Sequence, residues 1–235
     1  MDVTSRDRSD GFGAQYQEII CAIVYAEMNG RIFHYNPIKN IEHNYDQDPG
    51  FLNKISDLMN LQNGYPAINE NCQKLDMRTN YDYFENNIDF CLKSDSFNKI
   101  KRLFHENKEK DFFKNGKINI AVHVRRPNLN DCRSEGTDTP DTYYLNIINH
   151  IRKKYTGKDI LFHIYSQGDL QPYISEDTIL HKDEDMFTTF KGLVAADVLV
   201  TSASSFSYVA ALLNNREIYY KPFWHKPSIN WIQSV

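Results

Sequence analysis

The chain has 235 residues, with 27 basic and 31 acidic side chains, a net charge of −4, 41% apolar residues and 25% charged ones. That is an ordinary globular composition, and without a basic excess it excludes an electrostatic nucleic-acid binder. The longest apolar runs are of strand length, far below the ~18 residues a membrane-crossing helix needs, so one large domain or two small ones are expected. The opening Met1-Asp-Val-Thr-Ser-Arg-Asp-Arg8 has no secretory pattern. Cys21, Cys72, Cys91 and Cys132 are scattered without metal-ligand spacing, and no Asn-x-Ser/Thr sequon occurs. Together these point to a reducing cytoplasm.

The first motif is Asp10-Gly-Phe-Gly-Ala-Gln15. Tyr16, Ile19, Ile20, Ile23, Val24 and Met28 then follow helical spacing, giving an amphipathic helix to about Glu27, ended by Asn29-Gly30. Arg31-Ile-Phe-His-Tyr35 reads as a strand. Glycine turn, helix and strand in that order open a Rossmann-like unit. Gly11 and Gly13 would let backbone approach a ligand at the helix N-terminus, or would merely serve the turn. Phe51, Ile55, Leu58 and Met59 mark a short helix, and Asn63-Gly-Tyr-Pro66 a turn. Leu75-Asp-Met-Arg-Thr-Asn-Tyr-Asp-Tyr-Phe84 is polar and aromatic and reads as a surface loop able to meet acceptor sugars. Ser94-Asp95 caps a charged helix to about Phe113, and Asn115-Gly116 closes the first half.

The second half opens with Asn119-Ile-Ala-Val-His-Val-Arg-Arg-Pro127. Ile118, Ile120, Val122 and Val124 alternate with Asn119, Ala121, His123 and Arg125, the two-residue period of a strand. Charges at the exit of an apolar strand stand where α/β sheets bind ligands. A polar loop from Pro127 to Pro140 follows, then a helix capped by Asp141. Asp159-Ile-Leu-Phe-His-Ile-Tyr165 reads as a central parallel strand and Thr178-Ile-Leu-His181 as a short one. A helix runs from about Glu184 to Ala195, Val198-Leu-Val200 is a strand, and Thr201-Ser-Ala-Ser-Ser205 leads into another helix. Arg216-Glu-Ile-Tyr-Tyr220 is the last strand. The alternation predicts an α/β protein with mainly parallel sheets. Two Rossmann-like lobes are expected: 1–115, presenting an acceptor, and 116–235, binding a donor and carrying a tail, 222–231, that packs back across the lobes.

Two features of the second lobe converge on anion chemistry. Arg125 and Arg126 offer planar bidentate donors for phosphate. Thr201-Ser-Ala-Ser-Ser-Phe-Ser207 places four serines at a helix start, where N–H groups and hydroxyls favour an anion. N-capping accounts for one serine, less easily for four.

Val122-His-Val-Arg-Arg126 resembles the His-Val-Arg-Arg motif of α1,6-fucosyltransferases, and more broadly the His-x-Arg motif of the GT-B fucosyltransferase superfamily, which includes α1,2- and protein O-fucosyltransferases. Ala196-Asp-Val-Leu-Val-Thr-Ser-Ala-Ser-Ser205 and Gly-Phe-Gly-Ala-Gln15 are similar to two further segments of that family, in the family's order. The chain also looks like small glycosyltransferases of large algal DNA viruses. The resemblance implies a GT-B-like, inverting, metal-independent enzyme without cofactor. It would move a fucose-type sugar from a nucleotide diphosphate to an oligosaccharide or glycoprotein acceptor. It implies that Arg125 binds the β-phosphate, that His123 and Arg126 hold the donor, that Ser202, Ser204 and Ser205 bind the diphosphate, and that Gly11, Phe12 and Gly13 face it. Asp10 stands where some members keep a general base, and Asp76 is a second candidate by its place in the aromatic segment. Phe187-Thr-Thr-Phe190 offers no carboxylate to read guanine, so a UDP-sugar such as UDP-xylose is the alternative donor.

Rival readings are a metal-dependent GT-A enzyme and a non-catalytic glycan- or nucleotide-binding module. The first would use Asp46-Gln-Asp48 or Asp183-Glu-Asp185. The second of these pairs stands where a helix begins, and capping explains it.

Overall fold

The computed structural model describes residues 1–42, 44, 47–106, 108–109, 111–126, 139–214 and 216–233. The polar loop expected after Arg126 lies, over 127–138, outside the described residues, as does Asp46 of the first Asp-x-Asp pair. The protein is an α/β fold of parallel sheets that divides into two units, Met1–Lys110 and Asp111–Val235. Among the described residues no helix is long and apolar enough to cross a membrane.

Unit 1 is built on a three-stranded parallel sheet of order β2-β1-β3, from β1 (Asp2–Thr4), β2 (Ile32–Phe33) and β3 (Gln73–Lys74). The first strand precedes the glycine turn and is too short for its alternation to be read. α1 (Phe12–Met28) joins β1 to β2. It is not amphipathic: Gln15, Gln17 and Glu18 are as buried as Ile19, Ile20 and Ile23. α3 (Met77–Asn86) and α5 (Asp95–His105) pack on it from the sides the sheet leaves open. α2 (Phe51–Met59) and the short α4 (Ile88–Cys91) complete the unit.

Two sequence expectations fail here for local reasons. The aromatic segment at 75–84 is not a loop. Asp76 accepts a hydrogen bond from the Thr79 amide at 3.0 Å and so starts α3, burying Asn80 and Phe84. α5 stops at His105 rather than reaching Phe113. Its buried stripe is Phe97, Ile100, Leu103 and Phe104, and the next positions on that face, Lys108 and Asp111, are charged. Its start is as read, with Ser94 Oγ accepting from the Phe97 amide.

Unit 2 holds a six-stranded, all-parallel sheet of order β6-β5-β4-β7-β8-β9. Its strands are β4 (Ile118–Val124), β5 (Ile160–Ser166), β6 (Thr178–Lys182), β7 (Val198–Val200), β8 (Glu217–Tyr220) and β9 (Ile232–Gln233), with α6 (Asp141–Lys154), α7 (Met186–Ala195) and α8 (Ser205–Leu213) between them. The alternation read in β4 sorts its faces. Ile120, Val122 and Val124 join Ile147, Ile148 and Ile151 of α6, Phe162 and Ile164 of β5, and Val198 and Val200 of β7 in one core. The opposite face, with Asn119, Ala121 and His123, meets α7 and the start of α8. A sheet covered on both sides explains why its strands read as continuous apolar runs. The tail stays with this unit: β9 pairs with β8, Tyr219 opposite Ile232, and Phe223 and Trp231 pack on Tyr208.

A polar stripe crosses the second face. His163 Nε2 lies 3.0 Å from Asn119 Oδ1, His163 Nδ1 lies 3.0 Å from His181 Nε2, and His181 Nδ1 lies 2.5 Å from Glu184 Oε2. Asn119 donates through Nδ2 to Lys117 O and Asn115 Oδ1, so its Oδ1 must accept. His163 therefore donates from Nε2 to Asn119 Oδ1 and, as a neutral ring, accepts at Nδ1 from His181 Nε2. The His163 pKa is accordingly low, about 4, through burial and the charge of His181.

Candidate nucleotide-sugar site

Chain order and spatial order diverge in unit 2 at one place. From β4 the chain steps to β5 and β6 on one side, then returns to lay β7 against the other side of β4. The loops leaving β4 and β7 therefore part in opposite directions, opening a crevice at the carboxyl ends of the strands. The residues picked out as His123, Arg125, Arg126, Ser202, Ser204 and Ser205 all stand on these two exits.

His123 is the last but one residue of β4 and half-buried. Its Nδ1 lies 2.8 Å from Ser202 Oγ, and its ring packs at 5.5 Å on Phe206 of α8. Burial and the neighbouring Arg125 charge push its pKa down to about 3, so the ring is neutral near pH 7. Ser207 Oγ accepts from the Ser202 amide, donates toward the carbonyls of Ser202 and Ser204, and lies 3.3 Å from Ser202 Oγ, so His123, Ser202 and Ser207 form one hydrogen-bonded cluster.

The four serines divide their work. Ser202 holds His123. Ser204 is the N-cap of α8, its Oγ accepting from the Phe206 amide at 3.2 Å. Ser207 holds the Ser202 turn. Ser205, in the first turn of α8, has its Oγ 3.5 Å from His225 Nε2. Capping thus explains one serine, as elementary helix chemistry requires, and the others shape the turn and its rim.

The two arginines differ. Arg126 donates to Asp141 Oδ1 at 2.5 Å and to the Asp169 carbonyl at 3.3 Å, which ties the exit of β4 to the start of α6. Asp141 was expected to cap α6. The cap position is Pro140, and Asp141 is the first helical residue, its carboxylate taking Arg126 and the Tyr173 hydroxyl instead. Arg125, half-buried one step beyond the strand, stands close enough to depress the His123 pKa. The site therefore carries a guanidinium, a neutral imidazole and the hydroxyl-bearing start of α8, a donor set suited to a phosphate anion.

Unit 1 places the remaining candidates. Gly11 is the N-cap of α1 at φ −66°, ψ 156°, a conformation open to any residue, and Gly13 lies within the helix. The backbone conformation at Gly11 does not by itself require glycine. Phe12 is buried against Tyr16 at 5.5 Å. Gln15 Nε2 ties the turn down by donating to the carbonyls of Asp10 and Asn40. Asp10 is paired with Arg8, whose Nε donates to Oδ1 at 3.0 Å and whose Nη2 contacts Oδ2. Asp76 is exposed and committed to capping, and the Thr79 amide and hydroxyl hold its pKa below the usual carboxylate range.

Between the exits of β1 and β2 lies a shallow, polar depression lined by Arg6, Arg8, Gln15, Asn36 and Lys39 among others. Asn36 donates through Nδ2 to Asp7, which orients its amide, and its buried Oδ1 has no partner among the described residues.

The sequence reading missed Glu18. It is fully buried in α1, with the Arg6 backbone and the Asn80 side chain beside its carboxylate but no hydrogen bond of normal geometry, and burial pushes its pKa up to about 7. The available signal was a run of Gln15, Gln17 and Glu18 in an otherwise apolar helix. Among the described residues no group of three His, Cys, Asp or Glu side chains is arranged to hold a metal. Asp185 of the second Asp-x-Asp pair caps α7, accepting from the amides of Phe187 and Thr188, and Asp183 has a left-handed φ of 53°.

No protein-family model matches the chain, and no curated protein matches it. Among solved structures it is similar to NodZ α-1,6-fucosyltransferase co-crystallised with GDP, at 13% identity and TM-score 0.44, over 90% of this chain and 92% of that one. It is similar to POFUT1 in complex with GDP at 11% identity and TM-score 0.46, over 92% and 94%. It is also similar to fucosyltransferase NodZ from Bradyrhizobium at 13% identity and TM-score 0.41, over 90% and 92%. Likeness at this level assigns no chemistry, which rests on the residues themselves.

Proposed function

We propose that the protein is an inverting, metal-independent, GT-B-like glycosyltransferase that moves a fucose-type sugar from a nucleotide diphosphate to a glycan acceptor. One observation carries this reading. His123, Arg125, Ser202 and the start of α8 meet where β4 and β7 part, at the ligand-binding edge of a parallel sheet. A departing diphosphate gains negative charge, and preorganised donors at that place lower the barrier. Arg125 is the donor whose charge opposes it most directly. In this reading Ser202 donates to Nδ1, which leaves neutral His123 an Nε2–H to offer the diphosphate. Arg126 acts through Asp141, holding the exit of β4 in place.

Unit 1 supplies the acceptor side in this reading. Its polar depression, with an unsatisfied Asn36 carbonyl, suits hydroxyl groups. Asp10 and Asp76 remain the base candidates. The lowered pKa of Asp76 makes it the weaker base, and a base must first reach the acceptor hydroxyl.

A UDP-sugar such as UDP-xylose is the second reading. It is favoured by the start of α7, where the nearest acid, Asp185, is occupied by two backbone amides. The deciding experiment measures transfer from GDP-fucose and from UDP-xylose with EDTA present. Turnover that EDTA abolishes, or none with either donor, would sink the proposal.

A further inference from the structure

The tail brings a third strand exit to the same edge of unit 2. After Tyr220 the chain turns so that the His225 ring stacks on Tyr208, with centroids 5.1 Å apart and planes at 29°. His225 Nε2 reaches Ser205 Oγ in the first turn of α8. Two buried tyrosines fix this arrangement through the backbone: Tyr220 donates its hydroxyl to the His225 carbonyl at 2.5 Å, and Tyr208 donates to the Lys226 carbonyl at 2.7 Å. Phe223 and Trp224 pack on the ring from the tail itself. Two buried hydroxyls thus hold successive carbonyls of a segment that carries little core of its own, and the side chain they position is an imidazole.

We propose that His225 is a further donor-contacting residue, which hydrogen-bonds the diphosphate beside Ser205. The inference rests on the glycosyltransferase reading above and adds to it a residue. α8 contributes Ser205, Tyr208 and the positive end of its dipole; the β8 exit contributes Tyr220; the tail contributes Phe223 and Trp224. A ring fixed beside the first turn of a helix stands where an anion is favoured, and an imidazole N–H is a donor suited to its oxygens.

The test is calorimetric titration of the full chain with GDP and with UDP. His225→Gln should bind the preferred nucleotide roughly ten- to a hundredfold more weakly. Tyr220→Phe, which keeps the ring but frees the His225 carbonyl, should weaken binding less. Wild-type affinity in His225→Gln would overturn the role of His225 while leaving the site intact. Failure of wild type to bind either nucleotide would overturn both readings.

Discussion

His123 in unit 2 and Glu18 in unit 1 both have pKa values displaced by burial, and the two are handled in opposite ways. In unit 2, His123 is held neutral by burial and by Arg125, and it is satisfied by Ser202 at 2.8 Å. In unit 1, Glu18 is pushed toward its neutral acid form by burial, with Asn80 and the backbone of Arg6 beside it, and its oxygens lack a hydrogen bond of normal geometry. A buried polar group with a well-aligned partner costs little, whereas one held by poorly aligned partners keeps more of its desolvation cost. His123 is the preorganised group of the two, and Glu18 the costlier one.

The two groups make pH act in opposite directions. Glu18 has a folded pKa above its unfolded value, so its contribution is present below about pH 4.5 and is lost as pH rises through about 7. His123 has a folded pKa below its unfolded value, so its contribution is present above about 6.5 and is lost as pH falls through about 3. Amide-exchange protection should therefore decline in α1 and rise in β4 on going from pH 5 to pH 7.

The comparison can be broken most sharply at Arg125. Arg125→Ala should lower transfer by about 10²–10³-fold with the fold retained, as read by kcat and by circular dichroism; wild-type turnover would end the assignment. Next in size is Glu18→Gln, which removes the buried acid. It should raise stability at pH 8 by up to roughly 3 kcal/mol and flatten its fall with pH, measured by urea unfolding. Unchanged stability would mean that the charged form is tolerated. Ser202→Ala leaves His123 without its partner and should cost about 1–3 kcal/mol together with weaker nucleotide binding. Smallest is Asp76→Asn. Asparagine caps a helix as well as aspartate does, so stability should hold, and any loss of turnover would then report a base rather than a cap.

The legibility of these features in sequence follows from how local their causes are. β4 was legible because alternation alone sorts Val122 from His123, and the serines of the β7–α8 turn because hydroxyls at a helix start have few uses. α3 is harder to read because Tyr81, Tyr83 and Phe84 interrupt a regular apolar spacing, and its start rests on the single pair Asp76 and Thr79. The burial of Glu18 could not be read because it depends on α3 and α5 covering α1, a tertiary fact. His225 was equally hidden: its place is set by Tyr208 and Tyr220, distant in sequence, reaching back to the tail.

The most direct test of the central claim, a nucleoside-diphosphate site where β4 and β7 part, is a thermal-shift comparison of wild type with Arg125→Ala. GDP, UDP, GDP-fucose and UDP-xylose would each be added in excess. A ligand at a hundred times its Kd stabilises the folded state by about 2.7 kcal/mol. The wild-type Tm should shift clearly upward with the nucleotide and sugar nucleotide of one base, and Arg125→Ala should lose that shift. No shift with any of the four, or an equal shift in the variant, would contradict it.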